Sequence, residues 1–491
     1  MNESSSEGVL GQSIAAGKWS LINTIAQRVL VFGTFFILAR LLVPADFGVI
    51  ALIAIVPSFL DGITAFAFDT AAVQKRGSIA RYLNVIWTFN ILRGTLIFVL
   101  MFLAAPFVAT FFNVAEALPL LYLAGLGIFI QGFVNIGQTY FFVNFDFKKV
   151  FIRDMVLKVS YTILTIGLAY SFHSYWALFF GSIGSLLALV LATYVLHPYR
   201  PRLDFQFGKL KELLFFSQWV LGQEMLNQTV RTVEDTLIGK FAGTTGLGLF
   251  GKAKALASAP TSPIVSLINK VSFTSYARLQ DSLGQVTEGT NKTMDIMLAL
   301  AVPYLIAVII TGDRIVLLLL GAGWVSLAPY LKILVVGATF DMLFVTLNAS
   351  LFNALGKVRV QFVISSLYAT SILIGFFILV PLYGILGAAI ATTTSLMLTS
   401  FVALYYQWSL LKMNFSQYGT TFIATLAACV APVLMGQTLL DLPFFNSNLG
   451  YCILMFFAGV LYLAGLYIIH LVFKRGPYST LQLIAYSFLK K

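Results

Sequence analysis

The sequence has little charge and few of the residues that catalyse reactions or bind metals. Only 10% of its 491 residues are charged, whereas soluble domains carry about 25%. Two cysteines, Cys429 and Cys452, lie in apolar segments and form neither a metal motif nor a disulfide framework. Its three histidines are scattered, and no phosphate-binding glycine loop or nucleophile–histidine grouping is present. We therefore predict an integral membrane protein that is not an enzyme, binds no metal and needs no cofactor.

Hydrophobic segments long enough to cross a bilayer recur along the whole sequence. A spanning helix needs about 20 apolar residues, and the pattern predicts an all-α protein with about fourteen such helices. The segments are 17–40, 47–71, 83–109, 118–143, 152–172, 175–196, 213–238, 246–272, 293–311, 326–350, 361–381, 384–408, 419–440 and 449–473. Because the start, MNESSSEG, lacks the basic region of a signal peptide, the first segment is predicted to be a retained span.

The net charge of +12 could indicate a nucleic-acid partner, but the positions of the basic residues argue against one. If the N-terminus is cytoplasmic, the outside loops hold only Arg40, Lys240 and Arg314. Basic clusters fall in the inside loops, most densely in residues 197–212. Such a bias is the positive-inside rule. It predicts a multi-pass membrane protein with cytoplasmic termini, surrounded by lipids and without a nucleic-acid partner.

Two weak internal similarities predict a repeat. Residues 39–50 (ARLLVPADFGVI) align with 239–250 (GKFAGTTGLGLF), and residues 145–152 (FDFKKVFI) resemble 354–362 (ALGKVRVQF). Together they place helices one to six over helices seven to twelve as two pseudo-symmetric six-helix lobes. The predicted domains are an N-lobe (1–196), a cytoplasmic linker (197–212), a C-lobe (213–408), two extra C-terminal helices (409–473) and a cytoplasmic tail (474–491).

The seventh and eighth segments are the most polar. In the seventh, charged and amide side chains recur at steps of three and four residues, which places them on one helix face. Burying a charge in a bilayer costs about 2.5–3.5 kcal/mol on insertion scales unless it meets water or a partner. The pattern therefore predicts a water-filled cavity lined by this face, which includes Ser217, Glu224, Gln228, Arg231 and Asp235.

Cations dominate the predicted cavity and favour an anionic ligand such as a diphosphate. The candidate substrate-binding residues are Arg28, Arg231, Lys252, Lys270, Gln228 and Asn227, with Arg93 and Lys158 as further candidates. The alternative is that each cation pairs with a nearby carboxylate, as Arg231 would with Asp235. Candidates for Na⁺ or H⁺ coupling are Glu224, Asp235 and Asp61, which ion pairing would also explain. Candidate hinges are Pro57, Pro260 and Pro263, for which static kinks are the alternative.

Several stretches are similar to polysaccharide exporters. The opening, GQSIAAGKWSLINTIAQRVLVFGTFFILARLLVPADFGVIAL, resembles the O-antigen and colanic-acid flippases of the multidrug/oligosaccharidyl-lipid/polysaccharide exporter superfamily. The likeness continues in YRPRLDF, VRTVEDTLIGKFAGTTGLGLFGKAKAL, LLGAGWVSLAPYLKIL and NALGKVRVQF. Within it, Arg28 and Arg231 match cavity cations, whereas Lys252 stands where relatives often have arginine.

This resemblance implies a two-lobed transporter that works by alternating access. Its substrate would be an undecaprenyl-diphosphate-linked oligosaccharide, flipped across the inner membrane for surface polysaccharide synthesis. Partners would then include polysaccharide polymerase or export machinery. Two other functions stay open: a Na⁺- or H⁺-coupled multidrug antiporter of the same superfamily, and a membrane polymerase or ligase. The latter usually needs a sizeable outside loop, and none is visible in the sequence.

Overall fold

The computed structural model describes residues 3–64, 80–412, 415–439, 442, 444–445 and 447–473. Within them the secondary structure is helical. The first part of the chain forms α1 (Glu3–Leu41), α2 (Pro44–Thr64), α3 (Ala80–Phe112), α4 (Leu118–Tyr122), α5 (Leu126–Gly132), α6 (Thr139–Val143), α7 (Phe147–Phe172) and α8 (Tyr175–Leu196). The second part forms α9 (Gly208–Ser258), α10 (Ser262–Arg278), α11 (Leu283–Leu320), α12 (Ala328–Phe340), α13 (Leu347–Ala354), α14 (Val358–Leu411), α15 (Phe415–Leu439) and α16 (Asn448–Phe473). Short 3₁₀ segments, Ala115–Ala117, Ile136–Gln138 and Ala322–Leu327, and a π-helical segment, Asp341–Thr346, join some of these helices.

The predicted fourteen-helix membrane fold is confirmed. Eleven helical stretches of the described chain are long and apolar enough to cross a membrane. One of them, α14, contains two predicted spans. Gly384, which adopts a left-handed φ of 57°, divides the helix between these two spans. The seventh and eighth predicted spans are also helical, in α9 and α10, but their charges lower the hydropathy. Apolar side chains such as Val195 and Phe107 are 85% and 79% exposed, as expected for a surface that faces lipid.

Two glycines explain why α9 and α14 each run past the length of one span. Gly243 in α9 has a φ of 69° and a ψ of −173°, so the helix axis changes direction between the seventh and eighth predicted spans. Gly384 does the same in α14. A side chain at either position would be strained because L-residues rarely adopt these angles. Both turns therefore depend on glycine.

The chain divides into two compact units. Unit 1 contains Met1–Leu249 with the short segments Leu320–Trp324 and Val380–Ile385, and unit 2 contains Phe250–Leu319, Val325–Leu379 and Leu386–Lys491. The predicted domain boundaries stay a prediction. In unit 1, α1 packs along α7 and α7 along α8; Thr34 and Thr162 share a hydrogen bond of 2.6 Å between their hydroxyls. Hydroxyl pairs of this kind hold helices together where no water competes.

The linker that follows α8 packs onto the beginning of α3. The Tyr199 hydroxyl donates to Asn84 Oδ1 at 2.8 Å, and the backbone N–H of Arg202 donates to the same oxygen at 3.0 Å. The backbone N–H of Asp204 donates to Thr88 Oγ1 at 2.9 Å. These bonds satisfy extended backbone that has no helix partner of its own. The linker is therefore fixed to unit 1 at the N-terminal end of α3.

Candidate substrate-binding site

The polar face predicted for the seventh span is present on α9. Asn227, Gln228, Arg231 and Asp235 lie on one continuous helical stretch, with Arg231 one turn after the two amides and Asp235 one turn after Arg231. Asn227 and Arg231 are exposed, and Gln228 is half-buried. The side chain of Glu224 lies outside the described part of the chain. Within the described residues Arg231 has no ion-pair partner, and its binding of a ligand stays a prediction.

A close approach between α2 and α9 places this face beside α2. An ideal Cβ on Gly62 would lie 2.5 Å from Cγ of Gln228, so a side chain there would force Gln228 to shift. Gln228 therefore lies directly against the backbone of α2. Because Arg231 is the next residue of the same face, α2 and the exposed arginine border one surface of unit 1.

Asp61, the neighbour of Gly62, forms an ion pair with α3. Arg93 Nη1 lies 2.8 Å from Asp61 Oδ1 and donates to the backbone carbonyl of Asp61 at 3.3 Å. The angle at Oδ1 is poor for a hydrogen bond, and Arg93 Nε is buried without a described acceptor. Asp61 was predicted as a coupling carboxylate, and Arg93 as a possible cavity cation. The structure therefore shows the alternative given for Asp61, an ion pair. The pairing reduces the charge that either residue offers to a ligand.

Arg28 lies on α1, on a different side from the contact with α7. The α7-facing side carries Asn23 and Gln27, whose amide nitrogens donate to Asp154 Oδ2 at 2.7 and 3.2 Å. Arg28 itself is exposed and has no ion-pair partner among the described residues. A helix turns by about 100° per residue, so Gln27 and Arg28 point in different directions. The amide side chains hold α1 in place and leave Arg28 outside that contact.

Helix geometry places the two exposed arginines at similar depths in unit 1. Depth is measured from a set of contacts at one end of unit 1. Ala39 on α1 and Thr244 on α9 belong to this set. At a rise of about 1.5 Å per residue, Arg28 lies about 17 Å from Ala39 along α1. Arg231 lies about 20 Å from Thr244 along α9 by the same measure. The apolar core of a bilayer is about 30 Å thick, so neither arginine is at this end of the spans.

We call the contacts at that end the closed end, defined by Ala39, Pro44, Gly48, Thr244, Gly248 and Trp324. An ideal Cβ on Gly48 would lie 1.7 Å from the carbonyl oxygen of Thr244, and one on Gly248 would lie 2.0 Å from that of Pro44. The two contacts are reciprocal. They join position 48 to 244 and position 248 to 44. Because the predicted repeat makes 44 equivalent to 244 and 48 equivalent to 248, each contact is the counterpart of the other, as in a two-fold symmetric interface.

Aromatic residues seal the closed end. Trp324 is buried, its Nε1 donates to the carbonyl of Ala39 at 2.7 Å, and its ring packs edge-on against Phe35 and Phe47. Nearby, Lys240 Nζ donates to the carbonyl of Phe111 and lies 4.7 Å from its ring centroid. The backbone and aromatic contacts leave no room for a substrate among these residues. The sequence alignment of the repeat places Gly48 over Gly248 but gives no sign that the two segments touch.

Of the remaining predicted cations, Lys158 is half-buried on α7 in unit 1, whereas Lys252 and Lys270 belong to unit 2. Lys252 is half-buried on the last part of α9, and the side chain of Lys270 on α10 is outside the described part of the chain. Lys254 lies within electrostatic range of Asp341, whose Oδ2 accepts a bond from Thr346 at 3.1 Å. Lys252 and Lys254 both have interaction partners. Whether Lys252 and Lys270 contact a ligand stays a prediction.

The three predicted hinge prolines occupy three different positions: one inside a helix, one in a turn between helices and one at the start of a helix. Pro57 is buried inside the continuous helix α2. Pro260 is exposed in the turn of residues 259–261 between α9 and α10, so the eighth span is broken there. Pro263 lies in the first turn of α10, a position that tolerates proline because its missing N–H would be unpaired anyway. Their roles as hinges stay predictions.

A further ion pair of unit 1 lies near the start of α7. Arg153 donates to Asp154 Oδ1 from Nε and Nη2 at 2.8 and 2.6 Å, and from Nη1 to Gln138 Oε1 at 3.0 Å. Because Asp154 also accepts from Asn23 and Gln27, it joins α1 to α7. The missed signal was the spacing of Asn23 and Gln27, two amides one turn apart on an apolar helix.

Helical spans with charged faces among them define an integral membrane protein of the transporter type. The sequence pattern of the family described as "Polysaccharide biosynthesis protein" matches residues 37–329, and the chain belongs to this family. The resemblance to polysaccharide exporters is thereby confirmed.

Two curated bacterial proteins illustrate the relationship. The teichuronic acid biosynthesis protein TuaB of Bacillus subtilis (strain 168) is 23% identical over 360 residues, which are 72% of this chain and 73% of TuaB. The succinoglycan biosynthesis transport protein ExoT of Rhizobium meliloti (strain 1021) is 23% identical over 317 residues, 64% of each chain. The chain thus spans somewhat less than two thirds of ExoT and almost three quarters of TuaB.

Solved structures show the same fold at low sequence identity. The lipid II flippase MurJ, in an inward closed conformation, has a TM-score of 0.73 and 15% identity; the match covers 93% of this chain and 99% of MurJ. An inward-facing multidrug resistance MATE family transporter has a TM-score of 0.57 and 14% identity, with 80% and 99% covered. The members of the family and these two structural neighbours are not enzymes. The prediction of a non-catalytic membrane transporter is confirmed.

Proposed function

We propose that the protein moves an undecaprenyl-diphosphate-linked oligosaccharide across the bacterial inner membrane, from the cytoplasmic to the periplasmic leaflet. The termini are cytoplasmic in this proposal, and the closed end faces the periplasm. The observation that carries it is the state of the charges in unit 1. Asp61 and Asp154 each have an arginine partner, whereas Arg28 and Arg231 are exposed without a described one.

Such an arrangement favours an anionic substrate. Keeping an arginine in a membrane span costs about 2.5–3.5 kcal/mol on insertion scales, so two exposed arginines at similar depths need a compensating interaction. A diphosphate supplies it, because the planar guanidinium binds phosphate oxygens in a bidentate way. Asn227 and Gln228, on the same face as Arg231, offer amide groups to the hydroxyls of a sugar.

The transport cycle would be alternating access. In the described state the closed end excludes substrate from one side, while the arginines lie about 17–20 Å away from it along their helices. Substrate that binds one state better than the other shifts the equilibrium between them. The family assignment and the likeness to ExoT, which is named a transport protein, and to the fold of MurJ, which is named a lipid II flippase, support this reading.

A multidrug antiporter is the second candidate, and the fold it shares with the MATE transporter favours it. A cavity for organic cations would be expected to present carboxylates. Asp61, the described carboxylate closest in sequence to the Gly62 contact, is paired with Arg93. Accumulation of a cationic dye in cells separates the candidates: the flippase proposal expects the same dye level with and without the protein.

The experiment is complementation of a strain that lacks the chromosomal gene. Arg28→Glu and Arg231→Glu should each lower surface polymer on the order of tenfold to a hundredfold, since a charge-assisted hydrogen bond contributes about 1.5–3 kcal/mol. Lipid-linked repeat units should accumulate in the cells, and membrane abundance should stay normal. The matched control is Arg359→Glu, which reverses an exposed arginine at the start of α14. Full export by the Arg28→Gln/Arg231→Gln double variant would refute the site.

A further inference from the structure

Unit 2 contains a buried carboxylate that the proposed substrate site does not use. Asp295 lies on α11, twelve residues and about 18 Å from its first residue. It is 7% exposed and belongs to a stretch that is apolar enough to span the membrane. Its described partner is Thr421 on α15, whose hydroxyl donates to Asp295 Oδ1 at 2.8 Å. No cation lies among its contacts with described residues.

Apolar side chains surround this carboxylate. The same core of unit 2 contains Met294, Met297, Leu298, Cys429 and Tyr462, each buried. An isolated carboxylate in such surroundings is expensive to keep ionised, and the cost disappears if it binds a proton or a cation. The arginine pairing seen for Asp61 and Asp154 is missing here. Asp295 is therefore a buried carboxylate with one described hydrogen bond and no described cation beside it.

A line of neutral polar side chains leads away from Asp295 across four helices. One turn earlier on α11, Asn291 Oδ1 accepts from the Tyr418 hydroxyl of α15 at 3.0 Å. Gln407 of α14 donates to that hydroxyl at 3.4 Å, and Asn348 of α13 donates to Gln407 at 3.1 Å. Gln407 and Asn348 are fully buried. Thr421 and Tyr418, one turn apart, thus form two rungs between α15 and α11.

We propose that Asp295 is a proton-binding site whose reversible protonation changes the packing of α15 against α11. Protonation converts the carboxylate to a neutral carboxyl group, COO⁻ + H⁺ → COOH, with no other bond made or broken. Thr421 donates to one oxygen in either state, and the proton occupies the other. When the proton leaves, the charge favours opening of this contact toward water. The link to a transport cycle rests on the proposed function; the binding of the proton does not.

A proton fits this site better than Na⁺ does. The described partner of Asp295 is a hydroxyl that points its hydrogen at the carboxylate, whereas a metal cation needs several oxygen lone pairs directed at it. The titratable groups facing the site are phenols and a thiol, which are neutral near pH 7: Tyr418, Tyr276, Tyr462 and Cys429. On α11 itself, Glu288 and Lys292 are exposed and pair with each other at 2.6 Å.

An infrared titration of the purified full-length protein in lipid nanodiscs tests the proposal without any substrate. The wild type should show a buried carboxyl C=O band that disappears as the pH rises. The band should be absent from Asp295→Asn, which keeps the size and the acceptor for Thr421, and unchanged in Glu288→Gln, the control two turns earlier on the same helix. A band that persists in Asp295→Asn, or one that follows the Na⁺ concentration at fixed pH, would overturn the proposal.

A second variant guards against a folding defect in the first. Thr421→Val should move the midpoint of the titration by on the order of one pH unit, because one hydrogen bond to a charged group is worth about 1.5 kcal/mol. Thr421→Ser should restore the wild-type midpoint. An unchanged midpoint in Thr421→Val would contradict the assignment. If the band behaves as expected but lipid-linked saccharide is not transported, the proposed function fails while the proton site stands.

Discussion

The closed end and the polar face of α9 belong to the same unit but are stabilised in opposite ways. At the closed end, Gly48 and Gly248 let the backbones touch, and the indole N–H of Trp324 donates to the carbonyl oxygen of Ala39. Every contact there is short and specific. On the polar face, Arg231 is exposed and has no described ion-pair partner.

The difference separates residues that hold the described state from residues available to a ligand. Close backbone packing is lost as soon as either partner moves, because dispersion forces act only at contact distance. A charge attracts over several ångströms and tolerates small movements. Under the proposed function, the closed end is the contact that opens between two states, and the arginines are the groups that keep a ligand throughout the change.

The largest expected effect comes from filling the closed end. Gly48→Ala or Gly248→Ala adds a methyl group where no space exists, so the backbones must separate. Overpacking of this kind costs about 3 kcal/mol. We expect a strong loss of polymer export together with a lower melting temperature in detergent.

The matched control is Gly33→Ala on α1, where a Cβ would meet nothing within 4 Å. This change should be neutral or slightly stabilising, since alanine favours helix over glycine by about 1 kcal/mol. If Gly48→Ala behaved like Gly33→Ala in both assays, the close packing would not matter for the described state, and the comparison would fail.

A smaller effect is expected from the ion pair beside the polar face. Arg93→Gln leaves Asp61 without its partner, and we expect a loss of about 2 kcal/mol, less than for a fully buried pair because Asp61 is one-third exposed. The double variant Asp61→Asn/Arg93→Gln should recover much of that loss, since neither charge remains. Thermal unfolding of the four proteins measures the coupling. A double variant less stable than Arg93→Gln would show that Asp61 has another function that this pairing does not explain.

The smallest effect concerns the linker that packs onto the N-terminal end of α3. Burial, followed by the positive charges of Lys149 and Arg200, lowers the pKa of His197 below its ordinary value. The unfolded chain then binds a proton at a higher pH than the folded protein does, so stability should fall as the pH drops below about 6.5. His197→Asn, which keeps an acceptor for the Tyr199 N–H, should flatten this dependence. His173→Asn, at an exposed helix end, should leave it intact; equal slopes in all three proteins would contradict the assignment.

Much of the fold followed from the sequence, because bilayer thickness imposes a helix length that hydropathy reveals directly. The seventh and eighth spans were found in spite of their charges, since the spacing of Gln228 and Arg231 is helical. Partnerships were harder to predict. Nothing in the sequence says that Asp61 pairs with Arg93, or that Thr421 lies beside Asp295, because each pair joins residues far apart in the chain. The C-terminal helices were predicted to be additions to the two lobes, yet α15 contributes the buried Thr421 hydroxyl that donates to Asp295 on α11.

The most direct test of the central claim is the binding of undecaprenyl diphosphate to the purified protein. The neutral lipid undecaprenol is the comparison ligand, and Arg28→Gln/Arg231→Gln is the comparison protein. The account predicts that the wild type binds the diphosphate lipid at least tenfold more tightly than the alcohol and that the double variant binds both alike. Equal affinities for the two lipids in the wild type, or a preference that survives the loss of both arginines, would contradict it.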